Sequence, residues 1–455
     1  MPTASPTVHR LLPRRAALGR LLVGPILANP LLASDWARAG SATPAARRGA
    51  SAAASAPPAR RTSAQGCAGA WHDWLAFKQA LLRSEGRVAD PREGRFHTVS
   101  EAQAYALFFA LVANDRPAFD ALLAWTEREL CGNTPAVTLP AWHWGRDEAG
   151  QWRVLDPNAA ADADLWLAYT LAQAGRLWRR SDLIEKAGRI SSMIASRETL
   201  DTGAQGLHLL PGPTGFADKA GQLRLNPSYA PLPLLRWFAA YAAGPHWSGL
   251  LRSTVNLLTT SAPHGLAPDW WQFTTTGLSS GAAAGAVVGA AAGSVPAHGA
   301  ALQSTRLAAL SNEQRLGGFD AVRVYLWLGL TAADDPQRAR LLAHFAPMCD
   351  VVERLGQPPL QVDPARQAAE QAGQLKPGPR GFAAALLPFA QSLGRSRCVA
   401  VLKDRLQHEP ADARMYYDSV LGLFALGQME GRYAFGSDGS LWTAWSACPA
   451  SARSP

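Results

Sequence analysis

The sequence predicts an all-α fold, a toroid of six helical hairpins, on three observations. From Trp71 onward, apolar residues recur at the three-to-four-residue spacing of helices that bury one face or all of it. These segments follow one another in up-down order through loops carrying Gly, Pro and Trp, and their number, about twelve, fits six hairpins. Runs of alternating polarity are scarce, so strands are expected only as short pieces in the loops. A hydrophobic content of 48% against 17% charged supplies a large core to a chain of 455 residues.

The first 66 residues are of another kind. Residues 1–39 read as an export signal. Arg10, Arg14 and Arg15 precede an apolar stretch from Leu21 to Ala33, and Ala37-Arg38-Ala39 has the small-x-small form of a cleavage site. Arg14-Arg15 leaves a twin-arginine route open beside the general one. Residues 40–66, rich in Ala, Ser, Pro and Arg, cannot build a core and read as a disordered linker. These 66 residues hold nine Arg and a single acid, Asp35, so they carry nearly all of the net charge of +9. The remainder is close to neutral, which disfavours nucleic acid as a partner. No stretch is long and apolar enough to span a membrane, and GAAAGAVVGAAAG at 281–293 is too short and too rich in Gly. The exported chain is expected to be periplasmic or secreted.

The folded part is expected over 67–448, with 449–455 as a tail. In order, helices are expected at 71–84, 101–113, 117–130, 162–174, 181–197, 229–242, 246–260, 320–330, 336–346, 381–392, 396–406 and 416–427. Gly175 and Gly427 are placed as helix stops. The start at 101 fits a capping box, Ser100 as N-cap and Gln103 three residues on. Residues 277–304 have neither charge nor helical amphipathicity and read as an inserted loop.

Three of these helices open on acids: Glu101 in TVSEAQAYALFFALVANDR, Asp162 in NAAADADLWLAYTLAQAGRLW and Asp320 in GGFDAVRVYLWLGL. An acid at a helix N-terminus needs no function, because the dipole favours it there. Three such acids beside aromatics are also the equipment of a glycosidase, provided that the helix starts converge. Most of the sixteen Trp are expected in the core, but Trp also offers flat faces on which sugar rings stack. Trp142, Trp144, Trp270, Trp271, Tyr416 and Tyr417 are candidates for that role because they lie in loops or at helix starts. The five Cys show no metal-ligand spacing.

The ordered motifs TVSEAQAYALFFALVANDRPAFD, LPAWHWG, VLDPNAAADADLWLAY, LLPGPTGF, NPSYAPLPLLRWF, GLAPDWW, FDAVRVYLWLG and GFAAALLPFA resemble glycoside hydrolase family 8, in particular the endoglucanases encoded with bacterial cellulose synthases. The resemblance implies an (α/α)6 barrel that hydrolyses β-1,4-glucan with inversion. It implies Glu101 as general acid, Asp320 as general base and Asp162 as the contact to the distorted sugar beside the scissile bond. Tyr229 would lie near that sugar and the attacking water, Arg323 would support the base, and Trp142 would stack in the cleft. No metal or cofactor is required. The implied partner is a β-1,4-glucan chain, with transient contact to a cellulose synthase or export complex. Xylan or chitosan as substrate, and a non-catalytic glucan-binding role, stay open as alternatives. The chain departs from the common pattern at Ala102, Ala104 and Ala106, at Ala159-Ala160-Ala161 and at Gly318-Phe319, where hydroxyls or small residues are usual. Cys67 and Cys448 bracket the domain; they are either a disulfide closing its ends or two unrelated thiols.

Overall fold

The computed structural model describes residues 69–91, 96–242, 244–275 and 307–447. The export signal, the linker, the inserted loop, the tail, Cys67 and Cys448 lie outside the described residues.

Inner and outer helices differ in how far they are buried. The inner set is α2 (Ser100–Val112), α4 (Ala161–Trp178), α6 (Leu232–Tyr241), α8 (Val322–Leu330), α11 (Arg380–Ser392) and α13 (Tyr416–Met429). In α2 and α8 almost every residue is buried, as expected for helices apolar all round. The outer set is α1 (His72–Leu81), α3 (Arg116–Trp125), α5 (Ser181–Arg197), α7 (His246–Thr260), α9 (Arg338–Phe345) with α10 (Pro347–Leu355), and α12 (Ser396–His408). These bury only a stripe: α12 buries Cys398 and Leu402. Successive inner helices pack on one another from α2 through α13, and each also packs on an outer partner. The ring closes where Phe424 of α13 meets Phe109 of α2 at 4.7 Å and Tyr105 at 5.0 Å, while α1 covers α13 from outside. This is the (α/α)6 barrel.

The alternation has a directional consequence. If outer helices carry the chain back, all inner helices run the same way and their N-termini gather at one end. Below that end the axis is filled with rings: Phe424 touches Trp166 at 4.9 Å and Trp327 at 5.1 Å, and Phe108 touches Trp166 at 4.9 Å. Strands are confined to loops. β1 (Thr98–Val99), β2 (His143–Arg146) and β3 (Trp152–Asp156) form one antiparallel sheet beside the start of α2. The pairs β4 (Thr199–Asp201) with β5 (Leu207–Leu209), β6 (Gln222–Leu225) with β7 (Trp271–Thr274), and β8 (Tyr433–Phe435) with β9 (Leu441–Thr443) are two-stranded.

Several local expectations are corrected. Helix α2 begins at Ser100 with Val99 as N-cap, and the buried Ser100 hydroxyl caps nothing. Gln103 instead turns sideways: its Oε1 accepts from Val88 N at 2.7 Å and its Nε2 donates to Gly86 O at 3.0 Å, tying the preceding loop to the helix. Helix α4 runs past Gly175 to Trp178 and ends where Arg179 turns left-handed at φ 58°; α13 runs past Gly427 to Met429.

Candidate active site

Four inner helices and one loop deliver polar side chains to the gathered N-terminal end. Glu101 and Asp162 stand in the first turns of α2 and α4. Asp320 lies two residues before α8, in the turn that leads into it, and Arg323 is in its first turn. Tyr416 opens α13. Tyr229 precedes α6 in Asn226-Pro227-Ser228-Tyr229, where Asn226 Oδ1 accepts from Ser228 N at 3.0 Å and Ser228 Oγ at 2.7 Å. Ser228 O in turn accepts from Trp327 Nε1 at 2.9 Å, pinning that loop to α8.

One guanidinium joins all three acids. Arg323 Nη1 donates to Glu101 Oε2 and, at 3.1 Å, to Asp162 Oδ2; Nη2 donates to Asp320 Oδ1 at 2.6 Å. Tyr105 OH accepts from Nη1 at 3.2 Å, and the guanidinium lies over the Tyr229 ring at 5.5 Å. Tyr416 OH donates to Glu101 Oε1 at 3.0 Å. The helix dipole alone explains an acid at each start, but not their meeting on one buried arginine.

Exposure separates the three. The side chain of Asp320 is 28% exposed and that of Glu101 19%, whereas Asp162 is 4% exposed. Burial pushes the Asp162 carboxyl up to about 7 despite Arg323, with Glu101 and Asp320 adding to the rise. Burial likewise holds the Tyr416 and Tyr229 hydroxyls well above their usual range, so both are neutral donors. Three carboxylates around one cation leave an excess of negative charge, and the most buried of them takes the proton most readily.

Asp269, which the sequence motifs did not single out, builds the turn that carries Asp320. Its Oδ1 accepts from Gly318 N at 2.7 Å, Asp320 N at 3.1 Å and Ala321 N at 2.7 Å. Burial, and then the Asp320 charge, push its carboxyl up to about 6 against those three bonds. Its place in Gly-Leu-Ala-Pro-Asp-Trp-Trp was the only signal in the sequence.

The aromatic candidates divide. Trp142 is 37% exposed, and its carbonyl accepts from Ser100 N at 3.0 Å, which sets it beside the start of the Glu101 helix. Its ring stacks on His143 at 4.7 Å. Trp270 lies parallel to Phe216 at 6.1 Å and the same distance from Tyr229. Trp271 is half-buried in β7. Tyr417 donates to Phe319 O, next to Asp320. Trp144 is corrected: it is 7% exposed, stacked on Trp152 at 4.9 Å with the edge of Trp125 at 5.3 Å and Arg87 over it, so no face is free for a sugar. Trp142 lies in the loop just before β2, whereas Trp144 lies inside the strand, paired with β1 and β3, so the two differ in exposure although they share a motif.

The model of glycosyl hydrolases family 8 matches residues 59–288 and 293–431. An endoglucanase of Xanthomonas axonopodis pv. citri (strain 306) is 39% identical over 386 residues, 83% of this chain and 90% of that one. An endoglucanase of Salmonella typhi is 37% identical over 375 residues, 82% and 91% of the two chains. The crystal structure of an endo-1,4-D-glucanase from Vibrio fischeri ES114 superposes with a TM-score of 0.70 at 36% identity, covering 82% of this chain and 99% of that one.

Proposed function

Since this chain belongs to glycosyl hydrolase family 8 and is a glycoside hydrolase, a cellulase, we propose that it cuts β-1,4-glucan chains internally and with inversion, and that it does so outside the cytoplasm in the making and secretion of bacterial cellulose. The observation that carries the catalytic part is the single arginine gripping Glu101, Asp162 and Asp320 at the end of the barrel. The ordered motifs and the N-terminal export signal support the setting, where transient contact with a synthase or export complex is expected.

Cleaving the acetal requires a proton at the leaving oxygen and an activated water at the anomeric carbon. Inverting pairs keep their carboxyls roughly 6.5–9.5 Å apart to admit that water. Here Glu101 and Asp320 are held on different nitrogens of one guanidinium, apart from each other and both reachable from solvent. Asp320, the more exposed, takes the proton of the water; Arg323 and the Asp269-anchored turn fix its direction. Glu101 protonates the glycosidic oxygen. It first exchanges its bond to Arg323 for a proton, and Asp162, joined to the same guanidinium nitrogen, is a group that holds one near neutrality. With the sugar in place, Asp162 grips its distorted ring beside Tyr229, an interaction strongest in the transition state. Trp142, with Trp270 further along, supplies faces for neighbouring sugars.

Glu101→Gln and Asp320→Asn should each lower kcat by about a hundredfold or more, as expected when acid–base catalysis is removed, with circular dichroism and Tm nearly unchanged. Proton NMR of early cellopentaose hydrolysis should show the α-anomer first. Initial β-anomer, or near-native rates in either variant, would overturn the assignment. Carboxymethylcellulose, xylan and chitosan assayed side by side decide the substrate.

A further inference from the structure

Two carboxyl groups sit directly behind Asp162, and the reaction outlined above uses neither. Asp164 follows Asp162 by two residues on α4, so it points away from the arginine, toward the outer layer. Glu198 closes the C-terminal end of α5, the hairpin partner of α4. Both residues are 0% exposed. Among the described residues, no N–H or O–H donor reaches any of their four carboxyl oxygens. Among the described residues, the side chain that faces each carboxyl closely enough to share a proton with it is the other carboxyl. Two carboxyls hydrogen-bond only when one of them carries a proton.

The backbone around the pair leads to the site. Glu198 O accepts from Leu210 N at 2.8 Å, and the next residue, Pro211, accepts through its carbonyl from Ala161 N at 3.0 Å. Ala161 is the residue before Asp162. The carboxyl pair and these two backbone bonds together tie the first turn of α4 to the end of α5. We propose that Glu198 donates a shared carboxyl proton to Asp164, and that this buried pair is the positioning device for Asp162, holding the first turn of α4 where Arg323 and the substrate meet it.

The direction of the bond follows from position. Asp164 lies near the N-terminus of α4, where the dipole favours an anion; Glu198 lies at the C-terminus of α5, where it disfavours one. Burial holds both carboxyls well above the usual range; the bond from Glu198 draws Asp164 down, while Asp164 beside it pushes Glu198 further up. The other charged or titratable groups bearing on the pair are Asp162 on α4, Arg197 on α5 and the Cys131 thiol, whose own proton Asp164 helps to retain. Because the pair is protonated in the fold but ionises at the ordinary carboxylate value when unfolded, its stabilisation is complete at acid pH. It falls as pH rises toward the raised native value. Loss of the proton sets two buried carboxylates against each other and loosens the turn that holds Asp162.

The proposal rests on Asp162 acting in the reaction, but two of its tests do not. Glu198→Gln keeps a donor to Asp164 and removes the titration. The alkaline fall in Tm expected of the native enzyme should move up by about one pH unit or more in this variant, and kcat and KM at about pH 6 should stay within about threefold of native. In deuterated buffer at about pH 8, where Asp162 and Asp269 are largely ionised, the native enzyme should show the infrared carbonyl band of a protonated carboxyl, and Glu198→Gln should lack it. Glu198→Leu strands Asp164 and should lower kcat about tenfold or more at little-changed KM, a loss that Gln at the same position avoids. Superimposable Tm–pH curves for native and Glu198→Gln, or no such band in the native enzyme, would overturn the pair. An active Asp162→Ala enzyme would instead sink the role of Asp162 while leaving both readouts intact.

Discussion

Asp269 is the residue whose importance a mutant would show most simply. Three backbone N–H groups of the Asp320 turn converge on one of its oxygens, so Asp269→Ala leaves three donors in a half-buried turn without their acceptor. We expect kcat to fall by about tenfold or more and Tm to drop as well. Asp269→Asn, which keeps an accepting oxygen, should lie between the alanine variant and native. A native kcat in Asp269→Ala would show that the turn holds its shape unaided. The contrast with Glu101, Asp162 and Asp320 explains what was legible at this scale. Those acids were visible because each opens an apolar helix. Arg323, Tyr229 and Tyr416 were found through motif resemblance and helix position, and the structure brings all of them together. Asp269 acts through bonds to amides about fifty residues away, and no local pattern records such a bond. Trp144 is covered by Trp152, Trp125 and Arg87, which reach it from other segments, and a position in a loop or at a helix start does not reveal such cover.

At the scale of elements, each of the twelve expected helices has a counterpart, because burial along a helix leaves a periodicity that short sequence windows capture. α10 was missed. It follows α9 after Ala346 with Pro347 at its first position, and the proline reads as a break where it is in fact a favoured helix start. Helix ends were less legible than helix bodies, since Gly175 and Gly427 serve packing instead of termination. A Cβ on Gly175 would meet Ile184 at 2.5 Å, and one on Gly427 would meet Trp71 at 2.6 Å. The tightest such contact between inner helices is at Gly329 of α8, where a Cβ would stand 2.5 Å from Phe389 N and 2.8 Å from Pro388 C on α11. Backbone cannot step aside as a side chain can. Gly329→Ala should therefore destabilise by about 1–3 kcal/mol, measured by chemical denaturation, even though alanine is the better helix former. An unchanged midpoint would mean that α8 and α11 slide apart freely.

For the whole molecule, the toroid was legible from element count and order alone, but its direction was not. Only the packing shows that the inner helices gather their first turns at one end, and the site is a consequence of that gathering. The same end sets the pH response of stability. Asp162 and Asp269 are held up to about 7 and about 6 in the fold, whereas an unfolded Asp titrates near about 3.9. A group raised in the native state stabilises it fully below the unfolded value and loses that contribution as pH climbs through the native one. Burial holds His143, His208 and His246 below their ordinary value, and these act with the opposite sign, so the aspartate contribution shows as a difference: Tm of Asp269→Asn should gain on the native Tm as pH climbs from about 4 to about 6. A difference that stays flat with pH would contradict the Asp269 shift.

Arg323 finally has a meaning beyond orientation. Among the described residues it is the one cation paired with all three acids, which come from the starts of two helices and the turn before a third, so none of those acids has an environment independent of the other two. Neutralising one releases a share of the guanidinium to its neighbours and alters how tightly they hold their own protons. Single substitutions here do not measure separable contributions: losses in double variants will fall short of the product of the single ones. For a lineage of such enzymes, this makes the four residues a linked set, in which a change at one position alters the selective value of changes at the others.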